Sequence, residues 1–442
     1  MCILFSGDDM ESIWKKNVKM PSFPSLDTDL KTDILIVGGG LTGLLCAYKL
    51  KQEGVSCVLL EADRLCAGAT GNTTAKITAQ HGLIYNRLLR KFGWETARKY
   101  WEIQSMAIRE FRRLSEGIDC DFLDTSHAVY GAENLAALTE EAEALKILEI
   151  PFEYTDSLPL PVPVKGAVRF PEQAQFHPLK FAAGISKGLN IYEQTSVREF
   201  RKDVVMTDRG RIQAEKIIIA THFPILNKHG GYFLKMYQER SYVLGVENAV
   251  DVDGMYLAAE ENGFSFRNHG SQLLIGSGGH RTGKKTSGWR ELEELVQGRF
   301  PEGKIVARWA NQDCMTLDGL PYIGHYSKGT PNLYVATGFN KWGMTNSMAA
   351  AMVLTDLIQG RETPYESLFS PGRSVLHSQL AVNLMESAVH LLKPIKPRCP
   401  HLGCALSWNP QERSWDCPCH GSRFSEEGKL LNDPATDDLP NK

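Results

Sequence analysis

Two short runs late in the sequence carry the residue types of a metal or redox centre. Cys399-Pro400-His401-Leu402-Gly403-Cys404 precedes Cys417-Pro418-Cys419-His420-Gly421-Ser422, which gathers four of the ten cysteines between positions 399 and 419. The order is C-x-H, then C-x-x-H. Two thiolates and two imidazoles suit a [2Fe–2S] centre in which histidines replace two cysteines on one iron. Cys399, His401, Cys417 and His420 are then the metal ligands. Three cysteines with one histidine would instead close a tetrahedral zinc site.

A second constellation sits near the beginning. Asp33 to Val37 is a continuous apolar run with β-branched residues, as in a buried parallel strand. Gly38-Gly39-Gly40-Leu41-Thr42-Gly43 follows directly, then helical composition to Gln52, a glycine stop at Gly54 and a second apolar run ending in Glu61. Strand, glycine turn, helix and distant acid together are the context that a dinucleotide fingerprint requires. Gly38 permits the tight turn, Gly40 admits a pyrophosphate, and Gly43 lets the helix pack on the strand. The helix N-terminus, from Leu41 and Thr42 onward, offers N–H groups to phosphate. Glu61 accepts from ribose hydroxyls.

Other elements must carry these residues. Lys216 to Thr221 reads as a buried strand, and Asn332 to Gly338 as another, leading through a glycine-containing turn into a small-residue helix near Ala349. Pro21 and Pro24 mark a linker, and Ser370-Pro371-Gly372 marks a break. Leu376, Leu380, Leu384 and Leu391 recur at helical spacing, and Pro394 and Pro397 end that helix ahead of Cys399.

Composition narrows the partners. The chain has 442 residues, 43% hydrophobic, with 49 basic and 52 acidic side chains and a net charge of −3. No basic excess is present to neutralise nucleic-acid phosphates. No window offers the roughly 20 apolar residues of a membrane span. The run at Met1 to Asp9 lacks the basic start of a signal peptide. The remaining cysteines are scattered, unlike a disulfide framework, and cytoplasm is the expected location.

The order of motifs resembles the D-amino-acid oxidase family of FAD enzymes, which includes glycine and sarcosine oxidases. The matching pieces are Gly38 to Gly43, Glu61, Ala67 to Thr74, Ala220-Thr221-His222, Asp318 to Gly324, and Ala336-Thr337-Gly338 through Gly343-Met344-Thr345. The resemblance implies FAD. It places Thr70, Thr73 and Thr74 near the flavin, Val197 as a backbone contact to adenine, Thr221 and Gly338 in the cradle, and Gly343, Met344 and Thr345 over the flavin pyrimidine. It implies an α/β fold: a Rossmann-type FAD-binding domain (about 31–85, 166–231 and 316–368) with an inserted sheet-based substrate domain (about 86–165 and 232–315). Residues 1–30 form a leading segment, and 369–398 a helical linker.

The tail, 399–442, resembles a Rieske [2Fe–2S] domain. By that likeness Cys404 and Cys419 form a disulfide joining the two loops, and Ser422 hydrogen-bonds a cluster sulfide. Phe424 stands where high-potential members have Tyr, and one donor fewer lowers the potential. Only Lys393 to Arg398 separates the helix from Cys399, whereas Rieske domains carry several strands there. A small, incomplete all-β domain is therefore expected, and cluster ligands need a scaffold.

For catalysis, His81 follows the flavin-near segment, and Arg240 and Tyr242 lie on a strand entering the substrate domain. Arg240 would hold a substrate carboxylate bidentately. Tyr256, Arg267 and Lys284 are weaker candidates, and His177, His222, His280 and His325 read as packed or surface residues. The expected function is FAD-dependent oxidation of a C–N bond in a small amine or amino acid, with electrons passing to the [2Fe–2S] centre. The rival is a flavoprotein whose tail is a zinc-stabilised or cluster-free interaction module, with oxygen or a separate electron-carrier protein as acceptor.

Overall fold

The computed structural model describes residues 11–440 apart from 17, 134, 202, 227, 228, 262, 395 and 396. Met1 to Asp9, and Ile395 and Lys396 of the expected helix break, therefore lie outside the described residues.

The apolar runs form the middle of the first sheet. Leu30–Val37 lies parallel between Arg211–Ile219 and Cys57–Leu60, with Leu333–Thr337 parallel beyond Arg211–Ile219. Leu35, Ile36, Leu59, Ile218, Ile219 and Val335 are all fully buried. Such strands are apolar on both faces because layers cover both. The helices Leu41–Gln52 and Gly343–Ile358 pack on one another. Ala349, Ala350 and Ala351 of the second are fully buried, and their small side chains let it lie close. A hairpin, Val197–Arg201 with Val204–Thr207, extends the sheet from Arg211–Ile219.

The second sheet runs in the order Lys304–Thr316, Met236–Glu247, Gln272–Arg281, Ser265–His269, Met255–Ala258, Leu123–Gly131, Gly166–Gln175, Lys76–Ile77. Gly166–Gln175 and Lys76–Ile77 fall in ranges read from sequence as FAD-binding, yet both pair into this sheet. The second sheet thus draws strands from both sets of ranges.

The tail forms a third sheet of four antiparallel strands, Ser407–Asn409, Ser414–Asp416, Arg423–Ser425 and Leu430–Asn432, each of three residues. Its core is small: the four cysteines with Leu406, Phe424 and Ala435. The preceding helix spans Ser378–Leu392, as its spacing predicts, but its apolar residues face outward. Leu392 is 83% exposed and Leu384 47%, whereas Asn383 and His390 are buried. Asn383 turns inward because it has a partner there: its Oδ1 accepts from Arg281 Nη1 at 2.9 Å.

No helix among the described residues is long and apolar enough to cross a membrane.

Candidate active site and metal centre

The glycine loop has the shape its spacing implies. Gly38 has φ +111°, and a Cβ there would lie 2.5 Å from the Ala220 carbonyl oxygen. A Cβ on Gly43 would lie 2.0 Å from the Gly38 carbonyl oxygen, so helix and strand meet only without one. Leu41 N–H donates to Thr70 Oγ1 at 3.0 Å, and Thr42 Oγ1 meets Ser347 Oγ at 2.8 Å. Gly40 is the N-cap and brings no side chain to the helix end. Glu61 accepts from Gly39 N–H at 2.7 Å and from Asp63 N–H at 2.8 Å, while burial raises its pKa.

The remaining cradle residues have these positions. Val197 is buried at the start of its strand. Thr221 Oγ1 donates to the Phe223 carbonyl at 2.8 Å. Gly338 has φ +71°, with Thr316 Cγ2 2.3 Å from where a Cβ would stand. Gly343, Met344 and Thr345 open the helix Gly343–Ile358. Thr73 Oγ1 accepts from Ala75 N–H, a local turn bond. The Thr74 and Ala75 carbonyls are held by Arg267 Nη1 at 2.8 and 2.9 Å. Arg267 is 1% exposed, and its Nη2 is buried without a hydrogen-bond partner. Lys76 Nζ donates to the Tyr256 carbonyl and to Ser265 Oγ, and burial, with Arg267 nearby, lowers its pKa to about 7. Neither group has a carboxylate partner among the described residues. A glycine turn that leaves the helix N-terminus at Gly40 without a side chain, and a buried Arg267 Nη2 without a partner, fit an FAD held here.

Beside this segment lies a cavity of about 340 Å³, lined in part by His81, Arg87, Tyr237, Asn340, Trp342 and Gln379. His81 Nε2 faces the Thr78 carbonyl at 2.8 Å, so that nitrogen carries the proton. Nδ1 then accepts from Tyr100 Oη at 2.5 Å. Both lone-pair and proton positions are occupied, and burial holds the pKa down to about 3. His81 therefore lines the cavity as a neutral, fixed ring stacked on Trp342 at 4.8 Å, with no free lone pair to act as a base. His127 differs. Its Nδ1 donates to Gln80 Oε1 at 2.8 Å, and its Nε2 is buried without a partner. The ring meets Trp342 edge-on at 5.9 Å. Sequence reading passed over it; the signal was one histidine within the apolar run Ala128-Val129-Tyr130 of its strand.

Arg240 and Tyr242 correct the sequence expectation. Side chains on a strand alternate between faces. Tyr237 reaches the cavity, whereas Gln238, Arg240 and Tyr242 share the opposite face. There Arg240 Nε and Nη2 grip both oxygens of Glu412, from the tail, and Tyr242 Oη donates to the same carboxylate at 3.4 Å. Arg240 and Glu412 side chains are each 7% exposed. Arg423 adds bonds to Glu412 and Asp416, both at 2.9 Å. Burial raises the Glu412 pKa, but Arg240 and Arg423 more than reverse that, to about 2. The bidentate carboxylate expected of a substrate is supplied by the protein. Tyr256, also weighed for the substrate, donates to the Val252 carbonyl, and Lys284 pairs with Glu386.

The metal candidates come together in two pairs. The His401 and His420 rings lie 4.9 Å apart, and the Cys399 and Cys417 thiols hydrogen-bond each other. Burial holds His401 down to about 3 and His420 to about 4, so both are neutral, as a metal requires. His420 Nδ1 is buried with no hydrogen-bond partner. Ser422 reaches Cys399 and accepts from Ala435 N–H at 3.0 Å. The donor set fits a two-thiolate, two-imidazole group. The expected Cys404–Cys419 disulfide is not formed. Both are free thiols; Cys404 hydrogen-bonds Cys417 and Cys419 instead, and those three sulfurs lie within 4.8 Å of one another.

This centre adjoins the cradle. The Phe223 ring lies 6.5 Å from both His401 and His420, two residues beyond Thr221. Phe223 N–H donates to Asp433 of the tail at 3.3 Å. Burial first, and then the charge of Glu61, raise the Asp433 pKa to about 7.

Comparison with known proteins agrees with this layout. The model of the FAD dependent oxidoreductase family matches residues 33–357, and that of the Rieske [2Fe-2S] domain matches 372–441. The chain belongs to the FAD dependent oxidoreductase family and carries a C-terminal Rieske domain. It is an oxidoreductase of the type whose cofactors are FAD and a [2Fe–2S] cluster. The putative Rieske 2Fe-2S iron-sulfur protein YhfW of Bacillus subtilis is 35% identical over 494 residues, covering 98% of this chain and 97% of that protein. That span exceeds this chain's 442 residues, so the relative has positions with no counterpart here. The cytochrome b6-f complex iron-sulfur subunit of Microcystis aeruginosa is 51% identical over 37 residues, 8% of this chain and 21% of that one. Among solved structures, glycine oxidase from Geobacillus kaustophilus superposes with a TM-score of 0.64 at 22% identity, covering 78% of this chain and 99% of that one.

Proposed function

We propose that this oxidoreductase oxidises a C–N bond of a small amine or amino acid and passes the electrons to its own [2Fe–2S] centre. Bound FAD supplies the two-electron acceptor for the substrate, and the bound cluster a one-electron acceptor. The observation that carries the reading is the seat of His401 and His420 against Phe223, two residues from Thr221 in the cradle. Electrons leaving the cradle would have a short route through protein.

The chain's residues do the rest. His81 and Trp342 form a rigid, neutral wall of the cavity. Arg87 offers a cation at its edge for a substrate carboxylate. His127 meets Trp342 edge-on, and burial holds its pKa well below the usual value, so it too is neutral and packs against that wall. FAD contacts by Gly38, Gly40, Gly43, Glu61, Thr70 and Thr345 belong to the same reading, as does a cytoplasmic location.

The crowding of Cys404, Cys417 and Cys419 favours one other reading, a zinc-held interaction module with oxygen or a separate carrier as acceptor. Metal and acid-labile sulfide analysis with the absorbance spectrum distinguishes the two. Iron and sulfide in equal amounts beside flavin bands are expected; zinc without sulfide overturns the electron route. Anaerobic mixing with a panel of amines and amino acids should bleach the flavin and then reduce the cluster. A panel that leaves the flavin oxidised overturns the C–N assignment for those substrates.

A further inference from the structure

The two ligand loops are held by different parts of the molecule. The first, 399–404, is held close to home. Arg398 Nη1 donates to the Gly403 carbonyl at 2.6 Å, and Ala405 N–H donates to the His390 carbonyl at 2.9 Å. The second, 417–422, is gripped by three side chains of the substrate-domain sheet. Arg281 Nε donates to the Pro418 carbonyl at 2.9 Å and Nη2 to the Cys419 carbonyl at 3.1 Å. Gln238 Nε2 donates to the His420 carbonyl at 2.8 Å, and Gln312 Nε2 to the Gly421 carbonyl at 2.8 Å. Four consecutive carbonyls, 418 to 421, are thus fixed by residues outside the tail.

The grip is close and fully hydrogen-bonded. Gln312 Nε2 also donates to Gln238 Oε1 at 2.8 Å, Gln312 Oε1 accepts from Thr282 Oγ1 at 3.1 Å, and Gln238 Nε2 also reaches the Asp433 carbonyl at 3.1 Å. Gly421 has φ +94°, and a Cβ there would stand 2.6 Å from Gln238 Cβ. Gly283 abuts Pro418 in the same way, at 2.7 Å from its Cγ. A buried amide network of this kind fixes one arrangement, because any slip strands several donors at once. Arg281 is also within electrostatic reach of the Cys419 and Cys417 sulfurs.

We propose that Arg281, Gln238 and Gln312 are positioning residues of the metal centre: the substrate-domain sheet is the second half of the cluster's scaffold. The three-residue strands of the tail leave a ligand loop undersupported, and these side chains supply what is lacking. Arg281 also places a positive charge near one ligand thiolate, Cys417, which favours the more negative, reduced state and raises the potential. This inference rests on the reading of Cys399, His401, Cys417 and His420 as a [2Fe–2S] site.

The test uses the full-length protein purified with its cofactors, as wild type and as Gln312→Leu, Gln238→Leu, Arg281→Gln and Arg281→Lys. FAD content reports the fold. Iron and sulfide per FAD, iron release to a chelator, the electron paramagnetic resonance of the reduced protein and its midpoint potential report the centre. The glutamine variants should keep FAD but release iron roughly 10-fold or more faster, with an altered resonance. Arg281→Gln should also shift the midpoint downward, and Arg281→Lys should recover part of that shift by restoring charge. If Arg281→Gln fails to fold, Gln312→Leu decides. Variants with wild-type iron retention, resonance and midpoint overturn the proposal and leave the cluster standing. A wild-type protein that holds FAD without iron or sulfide overturns the cluster reading, and this proposal with it.

Discussion

The nucleotide cradle and the cysteine–histidine lobe solve the same problem, holding a redox group, by opposite means. The cradle is part of a large core: its strands are buried on both faces, and its helices bury alanines against them. The lobe has four strands of three residues and a core of cysteines with a few apolar neighbours. So small an apolar core falls well short of what a domain needs to stand alone. It relies on polar bonds to a neighbour, above all the buried set Arg240, Glu412, Arg423 and Asp416. Hydrophobic burial tolerates exchange of one residue for another, whereas a buried ion network depends on every partner. The two regions should therefore fail differently.

The largest expected effect is in the cradle. Gly43→Val puts a branched side chain where even a Cβ would lie 2.0 Å from the Gly38 carbonyl. Helix and strand must separate, and the protein should purify without FAD. Its iron and sulfide should persist if the lobe is held by the second sheet, as described. Loss of both groups together would erase the distinction drawn between the two regions.

Next comes the ion network. Arg240→Met removes one cation and leaves Glu412 buried with Arg423 as its remaining cationic partner. Breaking a buried pair in this way costs about 3–5 kcal/mol. Limited proteolysis should cut the tail while FAD stays bound. Pairing the change with Glu412→Leu should restore much of the loss, since an apolar pair of similar volume needs no counter-charge. A double variant as labile as the single one would assign the loss to packing.

Acid should loosen the same joint. The folded Glu412 pKa, about 2, lies below the ordinary value of 4.5. A depressed carboxylate stabilises fully above the ordinary value and loses that contribution as pH falls toward the folded one. Between about pH 4.5 and pH 2 the tail of protein first freed of iron and acid-labile sulfide should become protease-sensitive in wild type, and not further so in the Arg240→Met, Glu412→Leu pair treated alike. Equal acid sensitivity in both would place the titrating group elsewhere.

The same contrast explains what the sequence made legible. Glycine spacing, Glu61 and the ordered C-x-H and C-x-x-H runs are local patterns, and the chain folds each one where it stands. Cys399, Cys417, His401 and His420 meet because two short loops sit on one small sheet. The roles of Arg240 and Tyr242 were not legible, because strand alternation gives two faces without saying what covers either. The place of His127 was hidden for the complementary reason: its neighbour Trp342 is far away in sequence. The pairing of Gly166–Gln175 into the second sheet likewise depends on partners that no local pattern names.

The smallest expected effect tests the helix Ser378–Leu392, whose leucines recur at helical spacing. Leu354, in the cradle helix, is fully buried, and Leu384 is 47% exposed. Leu354→Ala should cost about 2–5 kcal/mol, from lost burial and the cavity left behind. Leu384→Ala removes the same atoms from a face that water already reaches, so the change should stay within about 0.5 kcal/mol. Thermal unfolding of both variants, each loaded with FAD, makes the comparison within one molecule. A cost at Leu384 approaching that at Leu354 would mean that the outward leucines are covered in solution, and that the lobe gains apolar support beyond the polar joint described here.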